Sequence, residues 1–177
     1  MNTRLARHAM TLAMMLGVPA LAAAQTATQD PPKEIFGTWL WNPTSRTALD
    51  NYQCYIERIE DVGAGRTRVR DYRILLVKSA EPQVFRNDFD VLFNTPILRA
   101  DRTSTLWRVT GPRSYQLMTL TARGDLPTFI VTRDISPDGQ RMTQVGQGTI
   151  NGAPVRRTAI FDRAPEGTMR SGECSIE

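Results

Sequence analysis

The chain has 177 residues, with 22 basic and 18 acidic side chains, two cysteines, one histidine and a formal net charge of +4. The histidine is His8, close to the N-terminus. Beyond it there is none, which excludes a Ser-His-Asp or Cys-His apparatus, a histidine-ligated haem and the usual catalytic zinc sites from the rest of the sequence.

The first 24 residues read as a secretory signal peptide. Arg4 and Arg7 form a positive start, Ala9 to Leu21 is a short apolar run, and Ala22-Ala23-Ala24 supplies small residues before a cleavage point. The run falls short of the ~20 apolar residues that cross a bilayer, so the protein is expected to be periplasmic or secreted after cleavage near Ala24. Cleavage there removes Arg4 and Arg7 and leaves 20 basic against 18 acidic residues, a net of +2. With only Lys33 and Lys78 as lysines, the cations are nearly all arginine. Acids are interspersed among them almost one for one, a pattern of solvated strand faces rather than a nucleic-acid surface. Cys54 and Cys174 are the only cysteines. In an exported chain they predict one disulfide, closing a long loop worth ~4–5 kcal/mol in the chain-entropy view. No Cys-x-x-Cys points to redox work.

Residues 25–34 form a polar, proline-containing lead-in, and 35–177 read as one β domain. Ile35 to Trp41 is the first predicted strand, stopped by Asn42-Pro43. Tyr52 to Glu60 is the second, with Cys54 and Ile56 on one face and Tyr55 and Ile59 on the other. Gly63-Ala64-Gly65 is a turn, and Arg66 to Lys78 a long strand with Arg66, Arg68 and Arg70 on one face. Its phase reverses near Asp71-Tyr72, because Ile74 and Leu76 fall on the arginine face, and a bulge is expected there. Glu81 to Arg102 is the least regular region, with a strand suggested by Phe89, Val91 and Phe93. Strands follow at 104–110, 114–121, 128–135, 140–150 and 155–163. Gly111-Pro112, residues 124–127, Ser136-Pro137-Asp138-Gly139 and Asn151-Gly152 are the turns between them. No window carries a helical period. The pattern predicts an all-β antiparallel up-and-down meander of about eight to ten strands, closed as a barrel or packed as a sandwich.

Two stretches carry a family resemblance. Phe36-Gly37-Thr38-Trp39-Leu40-Trp41-Asn42-Pro43-Thr44-Ser45 is similar to the opening of a group of exported bacterial lipocalin-like β-barrel proteins with an N-terminal G-T-W-x-x-N motif. Ser136 to Thr143, Gly148-Thr149, Asn151 to Val155 and Ala159 to Arg163 resemble that group's C-terminal hairpins. The middle of the chain matches poorly, and Trp41 and the cysteine pair depart from the pattern. The resemblance implies a lipocalin-like barrel, and most such proteins have no assigned activity. In lipocalins the tryptophan of the motif plugs the closed end of the barrel and an arginine near the end of the last strand stacks on it. That implies structural roles for Trp39 and Arg163, with Arg157 the second choice of partner.

A barrel of this size holds at most one small ligand. Alternation turns Trp107, Val109, Tyr115, Phe129, Val131, Ile135 and Phe161 inward, with Arg133 in phase with Phe129 and Val131 and Arg157 in phase with Phe161. An arginine in an apolar lumen needs an anion, either a ligand's or the protein's own. The competing possibilities are that bulges turn both outward, or that Asp134 or Asp162 neighbours pair with them. Asp88 and Asp90, and Glu57 with Glu60-Asp61, are the carboxylates open to catalysis. Asn87-Asp88-Asp90 lacks the ligand spacing of a calcium loop. The expectation is a non-catalytic exported barrel that binds a small apolar or amphipathic ligand through Trp107, Tyr115, Phe129, Arg133, Arg157 and Phe161. No cofactor, metal or nucleic acid is expected. One alternative is a cell-envelope interaction module with a filled barrel and an apolar patch from Pro82 to Ile97. The other is a carboxylate-based hydrolase.

Overall fold

A computed structural model describes residues 30–45, 52–76, 81–98, 102–121, 127–150 and 152–176. The expected signal peptide, the first half of the lead-in, Lys78, residues 124–126 and Asn151 lie outside them. Ten antiparallel strands succeed one another in one sheet: β1 (Gly37–Trp41), β2 (Tyr52–Asp61), β3 (Arg66–Leu75), β4 (Gln83–Leu92), β5 (Ile97–Leu98), β6 (Ser104–Gly111), β7 (Ser114–Leu120), β8 (Pro127–Ile135), β9 (Arg141–Ile150) and β10 (Ala153–Arg163). Their order is β4-β3-β2-β1-β10-β9-β8-β7-β6-β5. Because β1 pairs with β10, the meander curls round on itself and brings β4 and β6 to face each other across one seam. There the Asn94 N–H donates to the Trp107 carbonyl at 2.6 Å. The result is a nearly closed up-and-down barrel, the architecture that the turn spacing predicts.

One end of the barrel is packed solid. Ile35, Trp39, Trp41, Ile59, Val69, Tyr115, Ile135, Met142 and Phe161 belong to a single buried cluster there. The Trp39 indole N–H donates to the Ile35 carbonyl at 2.8 Å, and the Arg163 guanidinium lies over the Trp39 ring, 4.4 Å from its centre. Arg163 also donates to the carbonyls of Gly139 at 2.6 Å, Phe36 at 2.7 Å and Glu34. This side chain therefore ties the first strand, the β8–β9 turn and the last strand together. Gly37 is required by the same contact: its φ is +133°, and a Cβ there would stand 2.5 Å from an Arg163 nitrogen.

The bulge expected in β3 does not occur. Its register with β4 runs unbroken from Arg66↔Leu92 to Leu75↔Gln83, and the irregularity lies in β2 between Tyr52 and Cys54. The apparent reversal of phase has two other causes. Asp71 and Arg73 point into the barrel. Tyr72 and Ile74 point out, and the C-terminal tail covers them. Cys54–Cys174, with Cα atoms 5.9 Å apart, fastens that tail, whose short hairpin of β11 (Arg170–Ser171) and β12 (Cys174–Ser175) lies across β2 and β3. Cys54, Ile56, Tyr72, Ile74, Cys174 and Ile176 form a second buried cluster on the outside of the sheet. The irregular region after Glu81 also proves regular in part, since β4 is a full ten-residue strand.

Candidate functional site

Above the packed end the inward-facing rows become polar. On one wall the register aligns Asn87, Asp71 and Glu57 across β4, β3 and β2. On the other it aligns Tyr115, Arg133 and Gln144 across β7, β8 and β9. The two walls meet in a bidentate ion pair. Arg133 Nη1 and Nη2 donate to Glu57 Oε1 and Oε2 at 2.8 and 2.7 Å, with the two residues only 3% and 2% exposed. Arg133 also donates to Gln144 Oε1 at 2.8 Å and to the Tyr115 hydroxyl at 3.1 Å. Burial works against the arginine's charge, but Glu57 more than offsets it and holds the guanidinium protonated. Burial likewise pushes the Tyr115 hydroxyl up to about 12 and that of Tyr55 well above its ordinary value, so both stay neutral.

Glu57 and Asp71 are opposite one another in the β2–β3 register, an arrangement that like charges disfavour. Burial, followed by the Glu57 charge, raises Asp71 to about 6, although Arg73, Asn87 and Arg133 act the other way. Asn87 donates from its amide nitrogen to both Asp71 oxygens, at 3.0 and 2.9 Å.

All of these side chains except Tyr115 border a cavity of about 600 Å³ whose apolar walls include Val69, Phe89, Val91, Trp107, Leu117 and Val131. The six successive β4 residues from Arg86 to Val91 all touch it. β4 is an edge of the sheet, so the cavity reaches its unpaired side and opens through the seam. A second cavity of about 300 Å³ adjoins it, sharing Arg73, Phe129, Val131 and Gln144, and adds Tyr52, Leu75, Phe85, Gly146, Arg157 and Ala159. Room for it comes from β9. A Cβ on Gly146 would be 3.0 Å from the Phe129 ring, and one on Gly148 would be 2.7 Å from that ring. The ring thus lies flat against the strand instead of filling the lumen.

Of the residues singled out from sequence, Trp107, Phe129 and Arg133 border the main cavity, and Phe129 and Arg157 the second. Phe161 and Tyr115 border neither. Phe161 is fully buried in the packed end, and Tyr115 is stacked on Trp107 with centroids 5.7 Å apart. Arg133 does not pair with Asp134 and does not face outward; its counter-charge lies across the lumen. Asp134 accepts from Ser114, and Asp162 from Arg141 and Asn42. Asp90 accepts from Arg68 on the outer face, and Asn87 points inward, so strand alternation also separates Asn87 from Asp88 and Asp90, the set already set aside for its spacing. Among the described residues no group of three metal-ligating side chains comes together. Asp71, Arg73, Asn87 and Gln144 were not apparent as site residues, and Glu57 was apparent only as one of three neighbouring acids.

No protein-family model and no curated protein matches the chain. Among solved structures it is similar to two point mutants of the fluorescent protein UnaG. One superposes with a TM-score of 0.51 at 12% identity, covering 75% of this chain and 98% of that one; the other gives 0.50 at 11%, covering 74% and 96%. An extracellular fatty acid binding protein, As-p18, matches at a TM-score of 0.48 and 9% identity over 77% of this chain and 100% of its own. At such identities the likeness establishes the β-barrel fold alone.

Proposed function

We propose that the protein is a non-catalytic barrel that binds one small apolar or amphipathic molecule in its lumen, exported after cleavage near Ala24. The observation that carries this reading is the main cavity: about 600 Å³ is the size of a small-molecule site, and its wall, shared about equally between apolar and polar side chains, suits an amphipathic molecule. A filled barrel would have favoured the interaction module. Of the four exposed apolar residues of β4, Phe85 and Phe89 line the cavities, which leaves Val84 and Leu92 as its only contribution to an outer apolar patch. Glu57 and Asp71 do share one cavity, as a carboxylate hydrolase requires. Glu57 is nevertheless neutralised by Arg133 through both oxygens, and both oxygens of Asp71 accept from Asn87, so each acid is already held by a partner of its own.

Export agrees with the Cys54–Cys174 bond, and no helix among the described residues is long and apolar enough to cross a membrane. Trp107 borders the cavity and is 2% exposed, so its emission reports occupancy. Titration with C8 to C16 amphiphiles should change the fluorescence saturably in the native protein and much less in Trp107→Phe. An unresponsive Trp107, together with no heat of binding for any of them, would overturn the reading.

A further inference from the structure

Three arginines point into the lumen, and their circumstances differ. Arg133 is neutralised by Glu57. Arg73 lies over the Tyr55 and Phe85 rings, 5.5 and 5.1 Å from their centres, and its nearest carboxylate, Asp71, is 3.9 Å away. Arg157 has no ion-pair partner among the described residues, and its Nε is buried without a hydrogen-bond acceptor. Arg73 and Arg157, from β3 and β10, border the same second cavity of about 300 Å³, and no carboxylate is among the residues that line it. Two cations facing one half-enclosed space without an acid in its wall, one of them with a buried donor unsatisfied, form a seat for an anion from outside. Gln144 adds an amide that can donate to such an anion. The main cavity, which continues from it, offers the apolar walls.

We propose that this second cavity is an anion site, in which Arg157 and Arg73 hold the acidic head of an amphiphile (carboxylate, sulfonate or phosphate ester) whose apolar tail occupies the main cavity. This rests on the ligand-binding reading above and names its ligand class. Glu57–Arg133 takes no part in holding the head, because that pair is already closed.

Calorimetric titration of the whole disulfide-bonded protein with dodecanoate and dodecanol at pH 8 separates the two readings. The native protein should bind dodecanoate at least 10-fold more tightly than dodecanol. Arg157→Met should abolish that preference while leaving dodecanol affinity within about 2-fold. Should that variant not fold, Arg73→Met and the native protein in 0.5 M salt serve in its place, each reducing the preference several-fold. Equal affinity of the native protein for acid and alcohol would overturn the anion site and leave the ligand-binding reading standing. A preference retained without Arg157 and Arg73 would also overturn the site. Binding of neither compound would overturn both.

Discussion

The two ends of this barrel solve opposite problems with the same residue type. At the packed end Arg163 is partly exposed, spends its donors on three backbone carbonyls and covers the Trp39 ring. It closes the fold and leaves no space. In the lumen Arg133 is buried and spends its donors on Tyr115 and Gln144 of its own wall and on Glu57 of the facing one, bridging a space instead of filling it. Arg157 goes one step further and has no acid beside it among the described residues. An arginine that meets carbonyls stabilises a boundary. One that meets a carboxylate ties two walls together, and one without an opposite charge beside it is where the proposed anion would sit.

The largest expected effect lies in the lumen. Glu57→Ala leaves Arg133 buried without its counter-charge and should cost about 3–5 kcal/mol in urea unfolding. Replacing both partners, Glu57→Leu with Arg133→Met, should recover most of that loss, because the desolvation of both charges disappears with them. Comparable losses in single and double variants would break the comparison. Removing Cys54 and Cys174 together should lower stability by about 2–5 kcal/mol. Dodecanoate affinity should stay unchanged where the variant is folded, since the tail covers the outside of β2 and β3.

Asp71 gives a pH test with a definite sign. Its folded value of about 6 stands above the ordinary 3.8, so the folded state takes up a proton between those values. The fold therefore loses stability as pH rises through that window. Asp71→Asn should be more stable than the native protein by up to about 3 kcal/mol above pH 6, and the gain should vanish near pH 4. The groups facing Asp71 are Glu57 and Tyr55 on β2, Arg73 on β3, Asn87 on β4 and Arg133 on β8. A constant difference across pH would contradict the account.

Smaller effects distinguish the two ends. Gly37→Ala drives a Cβ into Arg163 in a backbone conformation that favours glycine, and should cost about 1–3 kcal/mol without altering ligand affinity. Gly146→Ala should do the reverse. It displaces Phe129 toward the lumen, with a stability change under about 1 kcal/mol and a several-fold loss of affinity in the same calorimetric titration.

The barrel was legible because its signals are local. Ser136 to Gly139 closes a turn with the Gly139 N–H on the Ser136 carbonyl, and two-residue alternation carries most strands. With two cysteines in a chain expected to be exported, the disulfide followed as well. The polar layer was harder to see. Glu57 lies 76 residues from Arg133, and no short pattern joins them. In β3 the usual rule is inverted on both faces. Asp71 and Arg73 are inside, where polar neighbours from β2, β4 and β8 receive them. Tyr72 and Ile74 are outside, where a tail about 100 residues further along the chain covers them. Each face taken alone suggests a bulge, and only the pairing of strands distant in sequence shows that none is needed.

Native mass spectrometry of the protein purified from its own source without denaturant tests the central claim most directly. The account predicts a bound molecule of a few hundred daltons that is released as an anion and is absent from Arg157→Met. A protein whose mass equals that of the bare mature chain in every preparation, and which takes up none of the C8 to C16 acids when they are added, would contradict it.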